Sequence, residues 1–288
     1  MKHRVAFLDV FAERPLAGNG LAVVEDADRL SDETMLAFAA ETRLSETTFL
    51  QTPSEDGADY RNRIWTPAHE MPFAGHPSLG TAVAVARWRD ADEASVVQQT
   101  QAGLQPIEVR RDGEVEGAER WRATMLQEPP EFGEELDPAK AMGAVGLEAG
   151  DAHPDLQPRL ISTGVWHVIA PVADAAALER VEADDAAIDA LPIPSQSVLY
   201  IAWVDPDSGR GRARSFAPSL PGGEDPATGS AIGPLCAYLA ERGIAEAITV
   251  DQGVEMGRPS LLEAEMEDGR PRVSGAVLPL IDGTVELP

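Results

Sequence analysis

The sequence predicts an α+β fold of two lobes with a cleft between them, built by duplication of one unit. The first observation behind this is an ordered repeat. Arg61-Asn62-Arg63-Ile64-Trp65-Thr66-Pro67 returns as Arg212-Ala213-Arg214-Ser215-Phe216-Ala217-Pro218, an offset of 151. Glu70-Met71-Pro72-Phe73-Ala74-Gly75-His76 returns as Glu224-Asp225-Pro226-Ala227-Thr228-Gly229-Ser230 at 154, and Leu44 to Phe49 lies opposite Pro194 to Leu199 at 150. Matches kept in one order with drifting offsets mark a repeated unit that has taken small insertions. The second observation is that both copies run into a small apolar helix, Pro77 to Trp88 and Ala231 to Arg242. A helix apolar nearly all round belongs in the middle of a core, wrapped by sheet.

Val5 to Phe11 and Leu21 to Val24 read as strands separated by a turn carrying Pro15, Gly18 and Gly20. Ser31 followed by Asp32 and Glu33 predicts a helix start, and Met35, Leu36, Phe38 and Ala39 supply its apolar stripe to about Arg43. Thr47 to Gln51 and Arg61 to Trp65 read as further strands. Gln127 to Pro158, rich in Pro, Gly, Asp and Glu, reads as the junction between halves of residues 1–127 and 128–288.

Composition narrows the function. The chain has 288 residues and 43% hydrophobic content, ordinary for a globular protein with a full core. Its net charge of −26 repels nucleic acid and anionic membranes, so neither is an expected partner. The acidity itself reads as a solvated surface suited to a salty cytoplasm. No apolar run is long enough to span a membrane, and the N-terminus reads as a strand and not a leader, so a cytoplasmic enzyme is expected. Cys236 stands alone inside the second predicted helix and reads as a buried structural thiol. No metal site is expected, since no Cys/His cluster has ligand spacing.

The chemistry lies in the two turns that open the apolar helices. A helix N-terminus presents unpaired N–H groups and partial positive charge, which suits an anion. Gly75 and Gly229 let a ligand approach that backbone closely. A small carboxylate-bearing metabolite is therefore the expected partner, despite the acidic surface.

Five ordered segments carry a specific resemblance: Gly18-Asn19-Gly20, Leu44-Ser45-Glu46-Thr47-Thr48-Phe49, Pro72-Phe73-Ala74-Gly75-His76-Pro77, Glu224-Asp225-Pro226-Ala227-Thr228-Gly229-Ser230-Ala231, and Gln252-Gly253-Val254-Glu255-Met256-Gly257-Arg258-Pro259-Ser260. From about residue 5 onward the chain resembles the phenazine-biosynthesis PhzF-like isomerases. The resemblance implies the diaminopimelate epimerase fold, two pseudo-symmetric halves each with a barrel-like sheet around a central helix, and a cofactor-free isomerase that forms a homodimer. It implies Glu46 as general acid/base, with His76 and Asp225 among the cleft residues around the substrate. A hydrogen bond between those two, orienting substrate or a second proton carrier, is a further expectation of the mechanism. Asn19, Gly75, Gly229 and Ser230 are implied as substrate contacts. Gly20 departs from the family, which usually has proline there. Related epimerases use a cysteine at each turn matching Pro72 and Pro226; with proline at both, two-thiol racemisation is excluded. His3, His69, His153 and His167 receive no role.

In the repeat Glu46 faces Gln196, so one half alone carries an ionisable group there. A single shuttle on one face suits proton transfer between two carbons of one substrate, such as a dihydro-hydroxyanthranilate. To work near neutrality Glu46 needs a pKa raised above its usual value of about 4.3, as desolvation would do. Two other readings compete: a non-catalytic acid-binding protein on the same scaffold, and a serine hydrolase using Ser78, His76 and Asp225. The hydrolase lacks a Gly-x-Ser-x-Gly elbow.

Overall fold

Strand β1 (Lys2–Val10) turns back into β2 (Asn19–Val24), pairing Val10 with Asn19 and Val5 with Val24. Gly18 in the turn sits at φ +67, and a Cβ there would meet the Val10 carbonyl oxygen at 2.4 Å. Both facts demand glycine. The geometry is that of a computed structural model, which describes residues 1–194, 197–218, 220 and 223–288.

Helix α1 (Asp32–Thr42) begins as predicted, with the Ser31 hydroxyl accepting from the Thr34 N–H at 3.2 Å. It buries Met35 and Ala39 in a cluster with Phe49 and Trp65. Strand β3 (Glu46–Gln51) then runs parallel to β2 and antiparallel to β4 (Tyr60–Trp65). After the short β5 (Glu70–Met71) comes α2 (Gly75–Trp88), followed by β6 (Glu93–Thr100), β7 (Gly103–Val115) and β8 (Ala118–Leu126). Every residue of α2 from Gly75 to Ala86 is buried. Burying Leu79, Val83 and Val85 contributes roughly 1.5–3 kcal/mol apiece, and their replacement by polar residues would dismantle this half.

The following segment holds β9 (Glu131–Glu135), α3 (Pro138–Gly143), β10 (Arg159–Ser162), β11 (Trp166–Pro171), α4 (Ala176–Glu179) and α5 (Asp185–Asp189). Next come β12 (Leu199–Val204), β13 (Arg210–Phe216), β14 (Glu224–Asp225), α6 (Gly229–Glu241), β15 (Ala247–Gln252), β16 (Ser260–Glu267) and the long β17 (Arg270–Glu286). The fold is α+β, and it divides into two units, Met1–Leu126 with Ser274–Pro288, and Gln127–Val273.

In the first unit the pairings β1–β2–β3–β4–β6–β7–β8–β17 return to β1 and close a barrel around α2. Residues 274–288, which the sequence reading places in the second half, belong here because β17 pairs along the whole of β1, Lys2 with Glu286 through Val10 with Val277. The second unit repeats the same alternation. β1–β2 and β10–β11 are antiparallel, β2–β3 and β11–β12 parallel, β3–β4 and β12–β13 antiparallel, β4–β6 and β13–β15 parallel.

Side chains repeat as well. Arg63 makes a bidentate pair with Glu70 at 2.7 Å and lies over the Trp65 ring; Arg214 pairs with Glu224 at 2.8 Å and lies over Phe216. Two expectations change. The segment 127–158 is no bare junction, since it contributes β9 and α3 and buries Ala141, Met142 and Val145 in the second core. Ser195 and Gln196 lie outside the described residues. Strand register, Thr47 opposite Trp65 and Leu199 opposite Phe216, makes Val198 the counterpart of Glu46.

Candidate active site

Glu46 opens β3, Asn19 opens β2, and His76 is the second residue of α2; the first unit brings these three together. All are buried, with 8% of Glu46 and 4% of His76 exposed. Gly20 is held in the ladder opposite Asp9, so the departure from proline leaves Asn19 fixed.

The amide Nδ2 of Asn19 donates to His76 Nδ1 at 3.2 Å. With Nδ1 occupied as an acceptor, the neutral ring carries its proton on Nε2, which lies 3.3 Å from Oε2 of Glu46. That contact lacks the alignment of a full hydrogen bond. Burial pushes the His76 pKa down to about 3, so it is not an ion pair at neutral pH. A ring this weakly basic suits a donor to Glu46 better than a second proton carrier.

The start of α2 has no side-chain cap, whereas Ser31, Asp137 and Asp184 cap α1, α3 and α5. The start of α6 is likewise uncapped, because the Thr228 hydroxyl donates instead to Asp225 Oδ2 at 2.7 Å. At both buried helix starts the N-cap side chain, Ala74 or Thr228, accepts no first-turn N–H. Gly75 and Gly229 are the first residues of these helices and are buried.

In the second unit Asp225 and Ser230 fall into different clusters. Asp225 belongs with Thr228, Gln252 and Tyr200: Gln252 Nε2 donates to the Asp225 carbonyl at 2.7 Å, and the Tyr200 hydroxyl donates to Gln252 Oε1 at 3.1 Å. Ser230 meets His167, whose Nε2 is 2.9 Å from Oγ. Sequence reading assigns no role to His167, Gln252 or Thr228: Thr228 and Gln252 lie within two of the five motif segments, and His167 stands alone in an apolar strand.

Ser78 is fully buried, donates to the Ala74 carbonyl at 2.7 Å and accepts from Gln98 at 2.7 Å. It has no access to a substrate, which removes the serine hydrolase. Cys236 is buried as expected, and its thiol lies 3.5 Å from the Glu246 carbonyl. Among the described residues no group of His, Cys, Asp and Glu is arranged to hold a metal ion, and no helix is long and apolar enough to cross a membrane. A cavity of about 270 Å³ lined by Leu50, Tyr60 and Trp88 lies toward the C-terminal end of α2 and touches none of the expected site residues.

The family model described as phenazine biosynthesis-like protein matches residues 8–283. This chain belongs to that family. A trans-2,3-dihydro-3-hydroxyanthranilate isomerase of Pseudomonas aeruginosa is 39% identical over 278 residues, 94% of this chain and 93% of that one. Among solved structures, a predicted epimerase from the same organism superposes with a TM-score of 0.83 at 36% identity, covering 98% of this chain and 99% of the other. A hydroxyproline epimerase from Agrobacterium vitis has a TM-score of 0.64 at 14% identity over 99% and 92% of the two chains, which shows the shared epimerase-type fold. As a phenazine biosynthesis-like protein, the chain is an enzyme of the isomerase class.

Proposed function

We propose that this chain relocates a proton between two carbons of a small cyclic or conjugated carboxylic acid, without a cofactor, and that Glu46 carries the proton. The dihydro-hydroxyanthranilate class is the substrate we assign, on the strength of the names of its relatives. The observation that supports the reading best is a buried Glu46 carboxyl with a neutral His76 Nε2 at 3.3 Å, beside the uncapped start of α2.

In this reading helix-end N–H groups hold the substrate carboxylate, and Gly75 and Gly229, each at the start of its own helix, leave room there for ligand oxygens. Glu46 takes a proton from one carbon and returns it to another on the same face, so the double bond shifts and no proton is consumed. Asn19 orients His76, and His76 orients Glu46 through its Nε2–H. Asp225 and Ser230 serve as further substrate contacts. The register counterpart of Glu46 is Val198, which has no proton to give, and a single carrier accords with that.

The test is turnover of trans-2,3-dihydro-3-hydroxyanthranilate in D₂O. A single shuttle returns part of the original hydrogen, so the product should hold less than one solvent deuteron at the receiving carbon. Glu46→Gln should lower turnover by about 10²–10⁴-fold. Undiminished turnover in that variant would remove the assignment. A cytoplasmic homodimer belongs to the same reading, and sedimentation should give twice the 30.7 kDa of the chain.

A further inference from the structure

We propose that His167 is a positioning residue that commits the Ser230 hydroxyl to donating a hydrogen bond to a ligand oxygen. The inference rests on the reading of Ser230 as a substrate contact and adds the device that sets its polarity. His167 sits in β11, 2% exposed. The backbone N–H of Val198 donates to its Nδ1 at 3.2 Å, so that nitrogen cannot also bear a proton. The neutral ring must then carry its hydrogen on Nε2, which lies 2.9 Å from Ser230 Oγ. His167 is the donor and Ser230 the acceptor in that bond. The serine hydrogen is consequently turned away from the ring.

No acceptor for that hydrogen is present among the described residues, where His167 is the one partner of the Ser230 side chain. The contrast with Ser78 is direct, because Ser78 spends its hydrogen on the Ala74 carbonyl one turn back. Ser230 is half-buried in the first turn of α6, the uncapped helix. Its hydroxyl hydrogen and the helix N–H groups present donors together, a pattern that matches a carboxylate or carbonyl oxygen and not an ammonium or amide N–H. Burial also keeps the ring neutral, with its pKa pushed down to about 3, so the polarity does not reverse near neutral pH.

The first unit supports the logic independently. His76 and Ser230 are the second residues of α2 and α6, at matching places in the repeat. Asn19 of β2 grips His76 as His167 of β11 grips Ser230, and β2 and β11 hold equivalent places in their sheets. In each unit the same strand fixes the polarity of the same helix position.

The experiment combines ¹⁵N NMR of the histidine rings in the intact enzyme with titration of anthranilate, used as a small aromatic carboxylate probe. At pH 7 the His167 Nε2 should be protonated and Nδ1 not. His167→Leu should weaken anthranilate about tenfold, and His167→Gln, which keeps an N–H donor, by no more than about threefold. The Ser230→Ala variant should lose as much as His167→Leu, and the double variant no more than either. A proton on Nδ1, or losses that add in the double variant, would overturn the role of His167 while leaving Ser230 as a contact. Unchanged binding by Ser230→Ala, with the ring protonated as described, would instead sink the substrate assignment of Ser230 and the inference resting on it. A circular dichroism spectrum and melting curve matching the parent separate a loss of binding from a loss of fold.

Discussion

The side-chain amide nitrogen of Asn19 lies 3.2 Å from Nδ1 of His76, and the other ring nitrogen lies 3.3 Å from Glu46. The order of these contacts fixes where the imidazole proton resides, and hence what Glu46 meets. Asn19→Leu should therefore lower turnover by about 10–10²-fold while costing about 1 kcal/mol of stability. Asn19→Asp should do more harm than its size suggests, because a carboxylate draws the proton to Nδ1. Steady-state kinetics paired with the ring ¹⁵N shifts measures both effects.

His76 in the first unit and His167 in the second are buried histidines whose pKa is pushed down to about 3 by burial. In the unfolded chain each takes up a proton near 6.5, while the folded chain resists until about 3. Below about pH 6.5 the unfolded state binds more protons, so stability falls as pH falls through this window and is complete above it. The slope is about 1.4 kcal/mol per pH unit for each ring in the middle of that window. Urea melts between pH 7.5 and 4.5 should show His167→Gln less acid-sensitive than its parent by about that slope.

Cys236 offers a control on the core. Its thiol is fully buried and its pKa is pushed up to about 12, chiefly by desolvation. Native enzyme at pH 8 should resist Ellman's reagent, and one thiol per chain should react in denaturant. Rapid labelling of the native protein would contradict the burial of α6.

The duplicated ion pairs predict a duplicated stability effect. Arg63 and Glu70, like Arg214 and Glu224, are mostly buried, and each arginine also lies over an aromatic ring. Arg63→Met leaves Glu70 without its bidentate partner and should cost about 2–4 kcal/mol, whereas joint replacement of Arg63 and Glu70 by apolar residues should cost less. The same ordering should hold for Arg214 and Glu224. Chemical denaturation of the four variants provides the comparison.

Much of the fold was legible in the residues. The paired Arg-x-Arg and Gly turns exposed the duplication, and the small apolar helices declared themselves as central. Ser31, with its acids, marked the start of α1 to the residue. Legibility failed where meaning depends on pairing across long sequence distances. The charged and Pro-rich composition of 127–158 hid β9, whose partner β10 follows more than twenty residues later. Gln196 was matched to Glu46 by counting along the chain, whereas strand register, which the chain alone does not display, selects Val198. Glu46, His76 and Asn19 were recognisable because they sit in dense motifs. His167 was not, since a histidine in an apolar strand has no local signature until its two ring contacts are seen.

The return of β17 to β1 makes the second unit an insert within the first. As the chain leaves the ribosome, residues 1–126 hold all but one stave of their barrel and expose an unsatisfied edge on β1 and another on β8. Residues 127–273 are synthesised whole before residues 274–286 arrive to seal that gap. The half bearing Glu46 is therefore begun first and finished last, its barrel closing only when that strand has been translated.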